Sequence, residues 1–446
     1  MVDPLHPGGR RRRLRLDALV ANSSTMVVST AVSGLVGVVL VVVLTNALGE
    51  RRYGQLAVIT SITLTVRQIL TVRIWEWALK EYARAATDAD GERGAQVVRT
   101  GFLVGGAINL VAFVAVAGGA RLAARWFLHD SRLATLVACY SLVLLLSWSN
   151  DTAFAVLRVA GRFRFLGTQQ AVSAAVRLAA IGGAVLATHR LGATIAAYVG
   201  IEAFVAAWLY AAASATFRRT FGHSWWRRGG PTQLSRRETA TLMGIGGVLD
   251  SVKLFVGDFD ILLLGIYRSD TTVANYQAAF NFVDQINRLA VPVQIVAFAD
   301  LAKLAAAGDG DALLQLVRRM MVLAAAAVVP LCLALSLGSS FLAHLVYRHG
   351  YGEVPGLLRI LAWTLVALVS MWMQPAFVCV GRAIWGLQLS AAAAVLKLGV
   401  ALLLVPRYGA AGLAASNLVY SGAFVVAIPV ALARVRTRVA SPAFAP

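Results

Sequence analysis

Residues 21–47 read ANSSTMVVSTAVSGLVGVVLVVVLTNA, and no side chain in the stretch ionises. A helix rises 1.5 Å per residue, so about 20 apolar residues cross roughly 30 Å of hydrocarbon. This stretch is long enough to do so. Residues 102–120, FLVGGAINLVAFVAVAGGA, are equally free of charge. The basic run from Arg10 to Arg13 ahead of the first stretch imitates a secretory signal. The apolar run behind it exceeds a signal core, and no small-residue cleavage site followed by a soluble domain comes after it. It reads as a retained first helix.

The rest of the chain extends this reading. Of 446 residues, 59% are hydrophobic and 14% charged, with a mean hydropathy of +0.72. Soluble domains carry about a quarter charged residues. The formal charge of +20 would suit nucleic acid. Lys and Arg, however, sit mainly in short polar breaks between apolar runs, the positive-inside pattern of a membrane protein, so no nucleic-acid partner is expected. Cys139, Cys332 and Cys379 fall in apolar runs, too few and too buried for a disulfide framework or a Cys-based zinc site. There is no HExxH and no glycine-rich phosphate loop ahead of a helix. An enzyme is therefore not expected, and no catalytic residue, metal ligand or cofactor is assigned.

About twelve spans are expected, near residues 22–46, 54–74, 100–119, 133–154, 166–187, 192–216, 241–266, 273–298, 318–342, 357–380, 386–405 and 409–432. The second is interrupted by Arg67 and Gln68. Breaks carry turn signals such as Asp88-Ala89-Asp90-Gly91 and Gly308-Asp309-Gly310-Asp311. The two termini and the even-numbered breaks hold about 25 Lys and Arg, the odd-numbered breaks about 10. Both termini are thus expected in the cytoplasm. The longest break holds Arg218, Arg219, Arg227, Arg228, Arg236 and Arg237. It divides an N-terminal six-helix half, residues 1–218, from a C-terminal one, residues 241–446, through a basic cytoplasmic linker, residues 219–240.

The halves echo each other. Gly161-Arg162-Phe163-Arg164-Phe165-Leu166-Gly167-Thr168-Gln169 corresponds to Gly381-Arg382-Ala383-Ile384-Trp385-Gly386-Leu387-Gln388. Each precedes an Ala-rich apolar run with one base inside it, Arg177 or Lys397, and the runs close on Arg190-Leu191-Gly192-Ala193 and Arg407-Tyr408-Gly409-Ala410. Tyr53-Gly54-Gln55-Leu56-Ala57 is a further echo of Tyr276-Gln277-Ala278-Ala279. Six spans repeated in parallel topology are a transporter arrangement, with the substrate between the halves. The expected fold class is an all-α polytopic membrane protein, two six-helix bundles around a central cavity.

Charges inside a bilayer cost roughly 2.5–3.5 kcal/mol each on insertion scales, so they face a cavity or a partner. Arg67, Arg177, Lys253, Arg288 and Lys397 are the candidate cavity bases. Arg177 and Lys397 have no acid near them in sequence, which points to an anionic ligand or to snorkelling towards a headgroup. Asp250, Asp258, Asp260 and Asp284 are candidates for ion coupling or a charge network. Asp250 with Lys253 can pair for structure alone, and Asp284 with Arg288 stands in the favourable i, i+4 order. Asp258-Phe259-Asp260 has the form of a glycosyltransferase metal motif, but Ile261-Leu262-Leu263-Leu264 places it within a span.

Three stretches carry a family resemblance. Leu48-Gly49-Glu50-Arg51-Arg52-Tyr53-Gly54-Gln55-Leu56-Ala57 follows the first span. Arg73-Ile74-Trp75-Glu76-Trp77-Ala78-Leu79-Lys80 follows the second. Asp258-Phe259-Asp260-Ile261-Leu262-Leu263-Leu264-Gly265 lies early in the second half. In order and spacing they resemble the Wzx-type polysaccharide flippases of the multidrug/oligosaccharidyl-lipid/polysaccharide exporter (MOP) superfamily, over about residues 21–433. The resemblance implies a V of two bundles and alternating access. It implies a polyprenyl-diphosphate-linked oligosaccharide carried from the cytoplasmic to the outer leaflet of the inner membrane, for surface polysaccharide assembly. Membrane lipids and polysaccharide polymerase or glycosyltransferase partners belong to the same expectation. The alternatives are a multidrug or toxin cation exporter of the same superfamily, which would present unpaired acids, and a lipid II-type flippase.

Overall fold

The computed structural model describes residues 7–70, 74–226, 257–347 and 350–439. Among them every regular element is a helix. In the first half, α1 (Pro7–Leu70) holds the first two expected spans in one line, broken at Gly49 by φ 73 and ψ 169, a conformation that needs glycine. α2 (Ile74–Thr87) follows. α3 (Gly91–Gly118) starts where the Asp90 carboxylate accepts from the N–H groups of Glu92 and Arg93. α4 (Ala120–Phe127) is short; α5 (Ala134–Leu146) and α6 (Asn150–Val159) form the fourth span. α7 (Phe163–Arg177) and α8 (Gly183–Thr188), joined by a π-helical turn at Leu178–Gly182, form the fifth, and α9 (Leu191–Phe221) the sixth.

The second half is described from Gly257. α10 (Asp258–Tyr267) completes the seventh span and α11 (Asp270–Ala306) is the eighth. α12 (Gly310–Leu337) with α13 (Ser339–Val346) is the ninth. α14 (Val354–Ala362), α15 (Ala367–Ser370) and α16 (Met373–Cys379) make the tenth. α17 (Ala383–Val426) holds the last two, broken at Gly409 by φ 58 and ψ −129, and α18 (Ile428–Val439) follows. Eight described stretches are long and apolar enough to cross a membrane. Two of them, Ser29–Leu70 and Ile384–Thr437, run for 42 and 54 residues, enough to cross twice around Gly49 and Gly409. The protein is thus an all-α, multi-pass membrane protein of about twelve spans in two bundles. The expected linker, residues 219–240, lies largely outside the described residues, as do Asp250 and Lys253.

The internal repeat is visible in the turns. Gly161 and Gly381 both take positive φ, 68 and 71. After each, an arginine N–H reaches five residues back, Arg162 to the Leu157 carbonyl and Arg382 to the Phe377 carbonyl. That is the Schellman closure of a helix end, formed twice from the Gly-Arg pair.

Three apolar cores set the shape. One draws residues from both halves, among them Leu56, Ile59, Leu144, Leu264, Tyr276 and Leu361. The other two are private. Trp77, Tyr82, Phe102, Leu157, Leu209 and Phe217 belong to a core of the first half, and Leu301, Val317, Trp372, Phe377 and Val435 to one of the second. Halves that share a core at one end and keep separate cores at the other form a wedge.

The shared end is closed by a backbone crossing. A Cβ on Gly54 would lie 1.8 Å from the Asp270 carbonyl oxygen, so α1 passes the start of α11 with no side chain between them. Polar groups ring the crossing. Gln55 Nε2 donates to Asp270 Oδ2 at 3.0 Å, and Asn281 Nδ2 to the Tyr53 hydroxyl at 2.9 Å. Tyr351 N–H donates to the Glu50 carboxylate. Asn46 Nδ2 donates to the Val346 carbonyl at 2.9 Å, and the Tyr351 hydroxyl to the Thr45 carbonyl at 3.2 Å.

Gly54→Ala is expected to prise this end apart, because a methyl group cannot share the space of the Asp270 carbonyl. Spin labels at Ser131 and Glu353, one in each half, should report longer distances in the variant on a cysteine-free background. An unchanged distribution would mean that the halves do not depend on this contact.

Candidate functional site

Within the spans, the charged side chains fall into a sealed group and an open one. The sealed group belongs to the second half. Lys397 Nζ on α17 stands 2.7 Å from Asp260 Oδ2 on α10, with side chains 1% and 3% exposed. Asn417 Nδ2 donates to the same carboxylate oxygen at 3.0 Å and lies 2.7 Å from the Tyr276 hydroxyl, which itself reaches Asp260 Oδ2 at 3.5 Å. This corrects the reading of Lys397 as an unpaired cavity base. Its acid stands 137 positions earlier, beyond any helical spacing, and no cavity reaches a side chain so covered.

The open group lies around α1. Arg177 ends α7 where the backbone enters its π-helical turn, a distortion frequent at functional sites. Its Nη2 meets Glu202 Oε2 of α9 at 3.1 Å, with side chains 44% and 12% exposed. Asn150 Nδ2 of α6 donates to Glu202 Oε1 at 3.1 Å. The expectation that Arg177 lacks an acid is therefore also corrected. A cavity of about 510 Å³ opens here, with Ser33, Gly37, Asn150, Arg158, Arg177 and Glu202 on its walls, within the size range of ligand pockets, roughly 300–1,000 Å³.

The remaining candidates are not among the residues that line this cavity. Arg67, half-buried, lies within electrostatic reach of Asp151. Asp258 accepts from Gln68 Nε2 of α1 at 3.1 Å, linking the halves at mid-span, and Asp284 is within its field. Tyr140 feels Glu202, Arg177 and Asp258 together, so the open ion pair and the inter-half carboxylate share one electrostatic neighbourhood. Arg288 Nε meets Asp284 Oδ2 at 2.8 Å, the pair expected from i, i+4 spacing. Arg288 shares a helix face with Asn281 and Gln285. Asn281 meets Tyr53, and Gln285 lies where a Cβ on Gly34 or Gly37 would come within 3.7 Å of it. That face of α11 therefore looks towards the first half.

The structure thus puts Arg177 on a cavity wall, pairs Arg288 with Asp284 and Asp258 with Gln68, and separates off Asp260 and Lys397. Among the described residues no group of three His, Cys, Asp or Glu is placed to hold a metal ion. Sequence reasoning missed Glu202, Asn417 and Gln68. Glu202 had a signal, being the one acid in residues 191–217. What the site offers chemically is the guanidinium groups of Arg158 and Arg177 on one cavity wall, with Glu202 paired to Arg177.

Residues 19–299 match the family described as polysaccharide biosynthesis protein. No curated protein matches the sequence. Among solved structures, the chain is similar to a multidrug resistance MATE family transporter of the MOP superfamily in its inward-facing conformation. That likeness has 14% identity and a TM-score of 0.68, covering 94% of this chain and 96% of that one. It is similar to the lipid II flippase MurJ in an inward closed conformation, with 14% identity and a TM-score of 0.72, over 92% of this chain and 87% of that one. An outward-facing MATE transporter of the same superfamily matches with 13% identity and a TM-score of 0.64, over 95% and 96%.

The sealed network is a scaffold, and its loss is a matter of stability. Lys397→Met leaves Asp260 charged and unpartnered by a cation, and should destabilise the protein by about 3–5 kcal/mol. Lys397→Met combined with Asp260→Asn removes both charges and should recover most of that loss. Unfolding in detergent micelles measures both, and equal stability of the single variant and wild type would refute the assignment.

Proposed function

The chain belongs to the polysaccharide biosynthesis protein family and has the fold of MOP-superfamily transporters; from that premise we propose that it is a flippase for a polyprenyl-diphosphate-linked oligosaccharide. The observation that carries the reading is the cavity among helices of the first half, with the guanidinium groups of Arg158 and Arg177 on its wall. Arg67, Arg177 and Arg288 offer charge-assisted hydrogen bonds, which replace the hydration of a diphosphate better than neutral donors do. The sugar sits in the aqueous space between the halves, and the polyprenyl tail stays in lipid through a gap between helices.

Direction follows from charge. In this reading the protein sits in the inner membrane with both termini in the cytoplasm, an orientation that the positive-inside count of Lys and Arg supports. The Gly54–Asp270 crossing then closes the outer end, and the wedge opens inwards. A head bound there reaches the other leaflet when the halves rock and the crossing parts. An inside-negative potential favours outward movement of an anion by roughly 2.3 kcal/mol per charge per 100 mV. Asp258, held across the halves by Gln68, is placed to register that rocking.

The test is flipping of a fluorescent polyprenyl-diphosphate oligosaccharide in proteoliposomes, with and without an imposed potential. Arg67→Gln, Arg177→Gln and Arg288→Gln should each slow it by about ten-fold, the loss of one hydrogen bond to a charged group. An inside-negative potential should speed the wild type. A wild type inert on lipid-linked sugars but able to move an organic cation against a proton gradient would make the protein a cation exporter instead.

A further inference from the structure

Arg177 and Lys397 occupy matching places in the two repeats, and each meets a carboxylate, yet the two ion pairs differ in kind. The Lys397 pair is sealed, at 1% and 3% exposure, and is completed by Asn417. The Arg177 pair stands on a cavity wall, at 44% and 12%. A buried pair is locked, because separating it strands charge where no water can follow. A pair on a wet wall is not, because an arriving anion can take the place of the acid.

The geometry suits such an exchange. Guanidinium has five N–H donors in a planar fork that matches phosphate oxygens, and Glu202 engages Arg177 through the Nη2 nitrogen. The other Glu202 oxygen is held by Asn150. The carboxylate therefore keeps a partner after losing the arginine, and its displacement does not leave it stranded. Arg158 and Gln169 stand on the same walls.

We propose that Glu202 is an exchangeable counter-ion for Arg177, holding the guanidinium in the empty cavity and yielding it to the diphosphate of the transported lipid. This rests on the flippase reading and adds to it a residue that sets how tightly the head is held. An arginine with no competing acid would bind a diphosphate and keep it. With Glu202 beside it, binding is weakened by like charge, and the returning carboxylate expels the head once the other face opens. Lipids with neutral heads do not break the pair, so the same device discriminates against them.

The experiment measures binding of farnesyl diphosphate, with farnesol as the neutral control, to the purified full-length protein, alongside flipping of the lipid-linked oligosaccharide. Glu202→Gln keeps the shape and the Asn150 contact but removes the competing charge. It should bind farnesyl diphosphate about ten-fold tighter and flip more slowly, because release is delayed. Glu202→Asp, which keeps the charge, should stay near wild type, and Arg177→Gln with Glu202→Gln should bind as weakly as Arg177→Gln alone. Melting temperatures of all variants establish that they are folded. Weakened or unchanged binding in Glu202→Gln, while the wild type flips its lipid, overturns the counter-ion and leaves the flippase standing. A wild type that binds farnesyl diphosphate no better than farnesol overturns the diphosphate reading itself.

Discussion

Two backbones touch where α1 passes the start of α11, and the rest of the molecule hangs from that contact. Gly54 has no side chain, so the Asp270 carbonyl comes closer than any Cβ would permit. Close approach maximises dispersion between helices, and in a membrane, where lipid is as apolar as leucine, packing of this sort replaces the hydrophobic drive to associate. Polar groups gather around the crossing because the spans end there: Glu50, Asn46, Asp270 and Asn281 each find a partner in the opposite half. The crossing closes one end of the wedge, and the private cores hold each bundle together at the other.

A second constraint is the expense of charge in hydrocarbon, and it shapes the interior in a graded way. Where no water reaches, the protein supplies a complete shell: Asp260 receives Lys397, Asn417 and Tyr276. Beside the cavity the Arg177–Glu202 pair, held by Asn150, is left partly exposed. The repeat makes the contrast instructive. Two copies of one architecture place a base at the same point. One copy has a carboxylate on its first helix that seals the base in the bundle. The other has a carboxylate on its sixth that leaves the base at the wall.

Much of this was legible in the sequence because hydropathy sums over about 20 residues and tolerates local error. Within the described residues the expected spans correspond to helical stretches, and the breaks within α1 and α17 fall at Gly49 and Gly409, where the sequence moves from one apolar run to the next. Asp284 and Arg288 were legible because helical geometry alone brings i and i+4 together. The partners of Arg177 and Lys397 were not. They stand 25 and 137 positions away, and packing between helices depends on rotation about each axis, which a single sequence does not reveal. Glu202 was overlooked for the same reason, an isolated acid whose meaning lies in the helix across from it. Asp250 and Lys253 lie outside the described residues, and their place in the cavity is still an expectation.

The asymmetry between the repeats bears on how such a molecule moves. A transporter that rocks two halves needs each half to stay rigid while the space between them changes. A sealed Asp260–Lys397 network stiffens the second bundle from within, tying α10 to both segments of α17. The first bundle spends its equivalent base on the cavity, and is held instead by aromatic packing among Tyr82, Phe102, Trp148, Phe217 and Trp225. Matching positions in the two repeats carry a base in each, and the burial of one ion pair beside the exposure of the other sets the two halves apart.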